Sequence, residues 1–226
     1  LSEPSPERFF EVLRGCDALD RLFPEIACLF GVPQPHRFHP EIDTGVHTML
    51  VLQQAARLSP LPEVRFAALV HDLGKGQTAH AMWPRHHGHE ETGVELVLQL
   101  CKRLKVPNSY RDLAVQVARY HGHFRRVSTE LSASTIVRTL EALDAFRRPD
   151  RFEHYLLACE ADIRGRAGKE KDPVPQTGHF QRCLEAANAI SVQHIRDAGY
   201  EGKAIGEELH RRRVNAVKQV LGEIRP

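Results

Sequence analysis

Apolar residues recur at helical spacing along this sequence, in lengths cut by Pro, Gly and Ser. No stretch shows sustained period-two alternation of β-branched residues. Phe66, Leu69, Val70 and Leu73 recur at i, i+3, i+4 and i+7, so 64–70 reads as a buried helix, its last turn carrying His71-Asp72, that Gly74 stops. Thr44 to Leu58, Glu90 to Lys105, Ser109 to His121, Ser132 to Phe146 and Arg151 to Ile163 read as amphipathic helices in the same way. Phe180 to Ile190 and a basic helix from Lys203 to Ile224 follow. Ser5-Pro6-Glu7 starts a short helix that ends at Gly15, and two more short pieces are broken by Pro24 and Gly31. The expected fold class is all-α: a multi-helix bundle with short N-terminal connecting helices and a C-terminal helical tail.

Between Val32 and Pro40 three prolines mark a rigid connection and the best domain boundary. At 226 residues, 42% hydrophobic and 27% charged, the chain can bury one ample core or two small ones. No apolar run approaches the roughly 20 residues needed to span a bilayer. Five cysteines, widely spaced and odd in number, fit reduced thiols in a cytoplasmic protein better than a disulfide or zinc framework. Leu1 opens the chain without a Met, and a fragment of something longer is expected. The formal charge of +2 neither demands nor excludes nucleic acid.

Polar residues interrupt the apolar stripes in a patterned way. His47 shares a face with Val51, Ala55 and Leu58; His89 with Gly93, Leu96, Val97 and Leu100. Ala114, Val117 and Ala118 lead to His121, and Phe152, Tyr155, Leu156 and Cys159 lead to Asp162. A lone stripe histidine is usually a core residue bonded to a backbone carbonyl. A buried carboxylate is harder to dismiss, because an unpaired buried charge is costly and demands a cation or a proton. One shared metal centre answers all of these residues together, and imidazole with carboxylate suits a divalent transition ion.

The order His47, His71-Asp72, Asp162 resembles the H…HD…D pattern of the HD-domain phosphohydrolases, a likeness strengthened by Leu73-Gly74-Lys75 and the His89-x-x-x-Gly93 step. The runs Leu22 to Ile26, Leu29 to Pro35, His39 to Thr48, Trp83 to His89, Glu160 to Arg166 and Glu207 to Arg213 resemble the carboxy-terminal part of bacterial multifunctional CCA-adding enzymes, the tRNA nucleotidyltransferases that carry an HD domain. The resemblance implies that 1–35 are the end of helices leading to a nucleotidyltransferase head, 36–166 the HD domain and 167–226 a helical tail that could contact tRNA. The head's Gly-Gly turn and Asp-x-Asp pair do not occur in this sequence, so nucleotide addition by it is not expected.

The resemblance further implies that His47, His71, Asp72 and Asp162 hold one divalent metal, with nickel, manganese, cobalt or magnesium as the ion. Imidazole ligands favour Mn, Ni, Co or Fe over Mg. Asp72 or Asp162 could also take the proton of the attacking water. Lys75 would neutralise phosphate charge, and His89 and His121 would contact phosphate or a second ion and protonate the leaving oxygen. Arg85, Arg164 and Arg166 would clamp phosphate. The implied substrates are 2',3'-cyclic phosphodiesters, 2'-nucleotides and phosphomonoesters. Related sequences often follow the histidine at 121 with His or Asp, whereas Gly122 stands here, which weakens a complete second metal site. Two other readings compete. In one, the chain is mainly a tRNA-binding body using Arg125, Arg126, Arg147, Arg148, Arg211, Arg212, Arg213 and Lys218; in the other, it is a nucleotidase unrelated to tRNA. A homodimer through a leftover apolar helical face is left open.

Overall fold

A computed structural model describes residues 1–225, and among these every regular element is helical. Three short helices, α1 (Glu7–Gly15), α2 (Leu19–Leu22) and α3 (Pro24–Ala27), precede an irregular segment closed by one isolated bridge between Pro33 and Asp43. Pro24 opens α3 at its first turn, where its missing N–H costs nothing. Helices α4 (Thr44–Leu58) and α5 (Pro62–Val70) lead into 3₁₀ turns at Leu73–Gln77 and His80–Met82. Then come α6 (His89–Leu104), α7 (Asn108–Arg126), α8 (Ala133–Ala142), α9 (Pro149–Arg164), α10 (Pro175–Asn188), α11 (Val192–Asp197) and α12 (Lys203–Ile224).

Asp43 caps α4: its Oδ1 accepts from Val46 N at 2.9 Å and its Oδ2 from Gly31 N at 2.6 Å, which ties the proline segment to the helix start. The stripes behave as their spacing demands. Val51, Ala55, Val97, Leu100, Ala114, Val117, Ala118, Phe152, Tyr155, Leu156 and Cys159 are buried, while Leu58 and Leu96 at the stripe margins are half-buried. Gly74 does not stop α5, which ends at Val70; the chain passes through His71 and Asp72 into the 3₁₀ turn. Gly74 is needed for closeness instead, since a Cβ there would stand 2.0 Å from the carbonyl oxygen of His89.

The chain packs as two units. The first comprises Leu1–His121 with Glu153–Pro173, and the second Gly122–Phe152 with the residues from Val174 onward. This division cuts across the segments 1–35, 36–166 and 167–226 read from the sequence. In the second unit Phe180 of α10 meets Phe124 and Phe152 at ring separations of 6.3 and 6.1 Å, and α10 and α8 pack on α12. No described helix is long and apolar enough to cross a membrane.

Candidate metal centre

Within the first unit, α4 supplies His47, the end of α5 supplies His71 and Asp72, α6 opens with His89, α7 carries His121 and the last turn of α9 carries Asp162; all six are buried. Distances between them are short. His47 Nε2 lies 3.1 Å from Asp162 Oδ1, and His71 Nε2 lies 3.1 Å from Asp72 Oδ2 and 3.7 Å from Asp162 Oδ1. Asp72 Oδ1 faces the other pair, 3.4 Å from His89 Nε2 and 3.5 Å from His121 Nε2, and these two nitrogens are 3.4 Å apart. Asp72 thus belongs to two candidate ligand groups, His47–His71–Asp72 and Asp72–His89–His121.

The backbone fixes which nitrogen each ring presents. Nδ1–H of His71 donates to Ala68 O at 2.7 Å, that of His89 to His86 O at 2.7 Å, and that of His121 to the carbonyls of Val117 and Ala118 at 3.1 Å each. A carbonyl only accepts, so the proton sits on Nδ1 and the Nε2 lone pair turns inward, the tautomer a ligand needs. Beside His47 stands Glu41, whose Oε1 is at ion-pair distance, 2.9 Å, from His47 Nδ1 and hydrogen-bonds His39 Nδ1 at 3.1 Å. A lone pair of this sort needs a partner. His71 Nε2 and Asp72 Oδ1 are fully buried and make no hydrogen bond with the protein. An orphaned acceptor of this kind costs about 1–3 kcal/mol, and a divalent cation satisfies both atoms at once. The residues present therefore fit a metal.

Charge is concentrated here. Burial would raise the Asp72 carboxyl, but His71 and Lys75 outweigh it and hold it well below the usual carboxylate range. Burial likewise pushes His47 down, yet Asp162 and Glu41 prevail and leave it above its ordinary value; His89 follows the same pattern through Asp72. Burial would raise Glu41 too, but the bonds from His39 and His47 bring it far down, while burial takes His39 down to about 4. Lys75, read from sequence as lying beyond the helix end, is buried, with Nζ 2.6 Å from Asp72 Oδ2 and 2.5 Å from Gln34 Oε1.

The three arginines differ in their surroundings. Arg85 is exposed in the loop before α6. Arg164 is held by Glu160 at 2.7 Å and by the Glu170 carbonyl, and Arg166 is half-buried. Of the basic residues on α12, Arg211 and Arg212 chelate Glu208 at 2.6–2.7 Å, and Arg213 lies 3.7 Å over the Phe146 ring. The sequence reading passed over Glu41, His39 and Gln34, which lie in the proline segment where no periodicity marks an inward face. The available signal was their place in the ten residues before Thr44, the start of the helix that carries His47. A pocket of about 160 Å³ has Gly74, Thr78, His87, His89 and Thr92 in its wall, and His89 is the cluster residue that reaches it.

Residues 44–148 match the HD domain family. This stretch of the chain is an HD domain. The matched stretch holds His47, His71, Asp72, His89 and His121; Asp162 lies beyond it and reaches the HD centre on α9. Over nearly its whole length the chain is also similar to proteins named multifunctional CCA protein. That of Nitrosococcus oceani is 57% identical over 221 residues, covering 98% of this chain and 54% of that protein. That of Thioalkalivibrio sulfidiphilus is 58% identical over 223 residues, 99% and 54% respectively, and that of Teredinibacter turnerae 50% over 218 residues, 96% and 53%. The chain spans about half the length of the curated relatives it matches. HD domains are divalent-metal phosphohydrolase modules, and this one carries His/Asp clusters of the required chemistry.

Proposed function

We propose that the HD domain hydrolyses 2',3'-cyclic phosphodiesters, 2'-nucleotides and phosphomonoesters, with His47, His71, Asp72 and Asp162 holding a divalent ion. The observation that carries this reading is the convergence of inward-facing imidazole nitrogens on two buried carboxylates, with His71 Nε2 and Asp72 Oδ1 lacking any hydrogen bond. When bound, such an ion polarises a phosphoryl oxygen and activates water near neutral pH. Nickel, manganese and cobalt suit the imidazole-rich set better than magnesium.

The chain's own groups do the rest. Asp72 or Asp162 takes the proton of the attacking water. His89, in the wall of the 160 Å³ pocket, and His121 bind phosphate and protonate the leaving oxygen. Lys75 pins Asp72 and supplies positive charge beside it. Arg85 and Arg166 steady the substrate's outer phosphates, and Arg164 joins them on leaving Glu160. Asp72, His89 and His121 would hold a second ion, were one to bind.

We further place the chain as the HD part of a CCA-adding enzyme, working in the cytoplasm on tRNA 3'-end maturation and repair, on the strength of its likeness to proteins of that name. Direct RNA contact by α12 is the weaker alternative, since Glu208 and Phe146 already occupy the arginines at 211–213. The deciding experiment strips the purified chain with chelator, reloads it with Ni, Mn, Co or Mg and assays a panel of phosphoesters. Activity should return with the transition ions and vanish in His71→Ala and Asp72→Ala. Cyclic phosphodiesterase activity that survives both replacements would overturn the proposal.

A further inference from the structure

A cavity of about 680 Å³ lies in the first unit between α1 and α4, with no residue of the metal centre in its wall. Glu7, Glu11, Asp17 and Asp20 line it, against a single base, Arg14, whose guanidinium lies 4.1 Å over the Phe30 ring. Glu11, Asp17 and Asp20 are exposed at the rim, as acids usually are. Glu7 is not: it is 6% exposed, and its fully buried Oε2 has no hydrogen-bond partner. Among the described residues no cation pairs with it either.

Position alone does not account for this. An acid in the first turn of a helix gains about 0.3–1 kcal/mol from the helix dipole, less than the several kcal/mol that burying an uncompensated carboxylate costs. An exposed acid at the same turn would serve the helix without that cost. A metal ion is a poor match, because sets of three ligand atoms within 4.8 Å of one another occur among the described residues only around His47 and Asp72. The negative charge is instead spread along a wall whose remaining surface includes the apolar side chains of Met49 and Leu50. Separated anionic points joined by an apolar strip complement ammonium groups joined by methylenes.

We infer that this cavity binds a linear polyamine, with one ammonium on the buried Glu7 carboxylate, the next on the rim carboxylates and the methylene chain along Met49 and Leu50. The site is independent of the HD centre and of the reaction assigned to it.

Calorimetric titration of the purified chain with spermidine tests the assignment, with 1,6-hexanediol as the uncharged control and Glu7→Gln and Glu11→Gln as variants. Wild type should bind spermidine saturably at millimolar concentration and ignore the diol. Glu7→Gln should weaken binding by at least about tenfold, as expected when one partner of a desolvated charge pair is removed. It should also melt no lower than wild type without ligand, since it removes a charge that the free protein leaves unpaired. Glu11→Gln, at an exposed position that folding does not depend on, should weaken binding a few-fold. No saturable binding by wild type, wild-type affinity in both variants, or a lower melting temperature of ligand-free Glu7→Gln would each overturn the assignment.

Discussion

With one carboxylate oxygen against both His39 and His47, Glu41 holds the His47 ring by its far nitrogen and leaves Nε2 aimed at Asp162. The backbone beside it is strained to do so: Ile42 has φ +61°, rarely adopted by a β-branched residue, and is held by the Gln34 N–H bond to Ile42 O at 2.7 Å. Glu41→Gln is expected to weaken metal affinity by about 10- to 100-fold with the fold intact, read by competition against a chromophoric chelator; unchanged affinity would remove Glu41 from the centre. Protons compete with the ion at the same rings. His47 and His89 are raised in the metal-free protein, so their stabilising contribution there is fully present below pH 6.5 and is lost as pH rises through the folded values. Metal requires the neutral rings. The rise in melting temperature on adding metal should therefore grow from pH 6 toward about pH 8.5, and a constant or falling rise would contradict the assigned histidines. His47, His71, Asp72, His89, His121 and Asp162 were legible because each interrupts an apolar stripe. Glu41 was not, because an irregular segment has no stripe to interrupt.

At the level of elements, two glycines set how closely the site-bearing pieces approach. At Gly74 a Cβ would meet His89 O at 2.0 Å and Gly93 N at 2.7 Å; at Gly165 it would meet the Val51 backbone at 2.7–2.8 Å. Backbone atoms cannot swing aside as a side chain can. Gly74→Ala should destabilise by about 1–3 kcal/mol or more in chemical denaturation. Gly165→Ala, three residues after Asp162, should push α9 off α4 and release metal more readily than wild type in a chelator-exchange assay. The helices themselves were largely readable: α4 runs from Thr44 to Leu58 and α12 from Lys203 to Ile224, as the periodicity gives them. Other ends were not. α7 continues past His121 to Arg126 because Gly122 keeps a helical backbone, and α8 stops at Ala142, just before Asp144 takes φ +56°. The six-residue α11 is too short for a periodic signal, though Ser191 caps it by accepting from His194 N.

For the whole molecule, the ion's effect should be confined to one of the two packing units. A ligand at a hundred times its dissociation constant stabilises the state it binds by about 2.7 kcal/mol. Hydrogen exchange with and without chelator should lose protection in Leu1–His121 and Glu153–Pro173, and leave 122–152 and 174–225 as they were; equal loss throughout would contradict a metal held by the first unit alone. The order of synthesis sets a further limit. His47 and Asp162 meet although 115 residues separate them in the chain. On a ribosome that makes the protein from its amino end, a growing chain has four histidines and Asp72 assembled long before α9 appears. A coordination shell that needs Asp162 can be closed only after that residue has left the exit tunnel, so loading of the ion is a late event in the life of each newly made molecule.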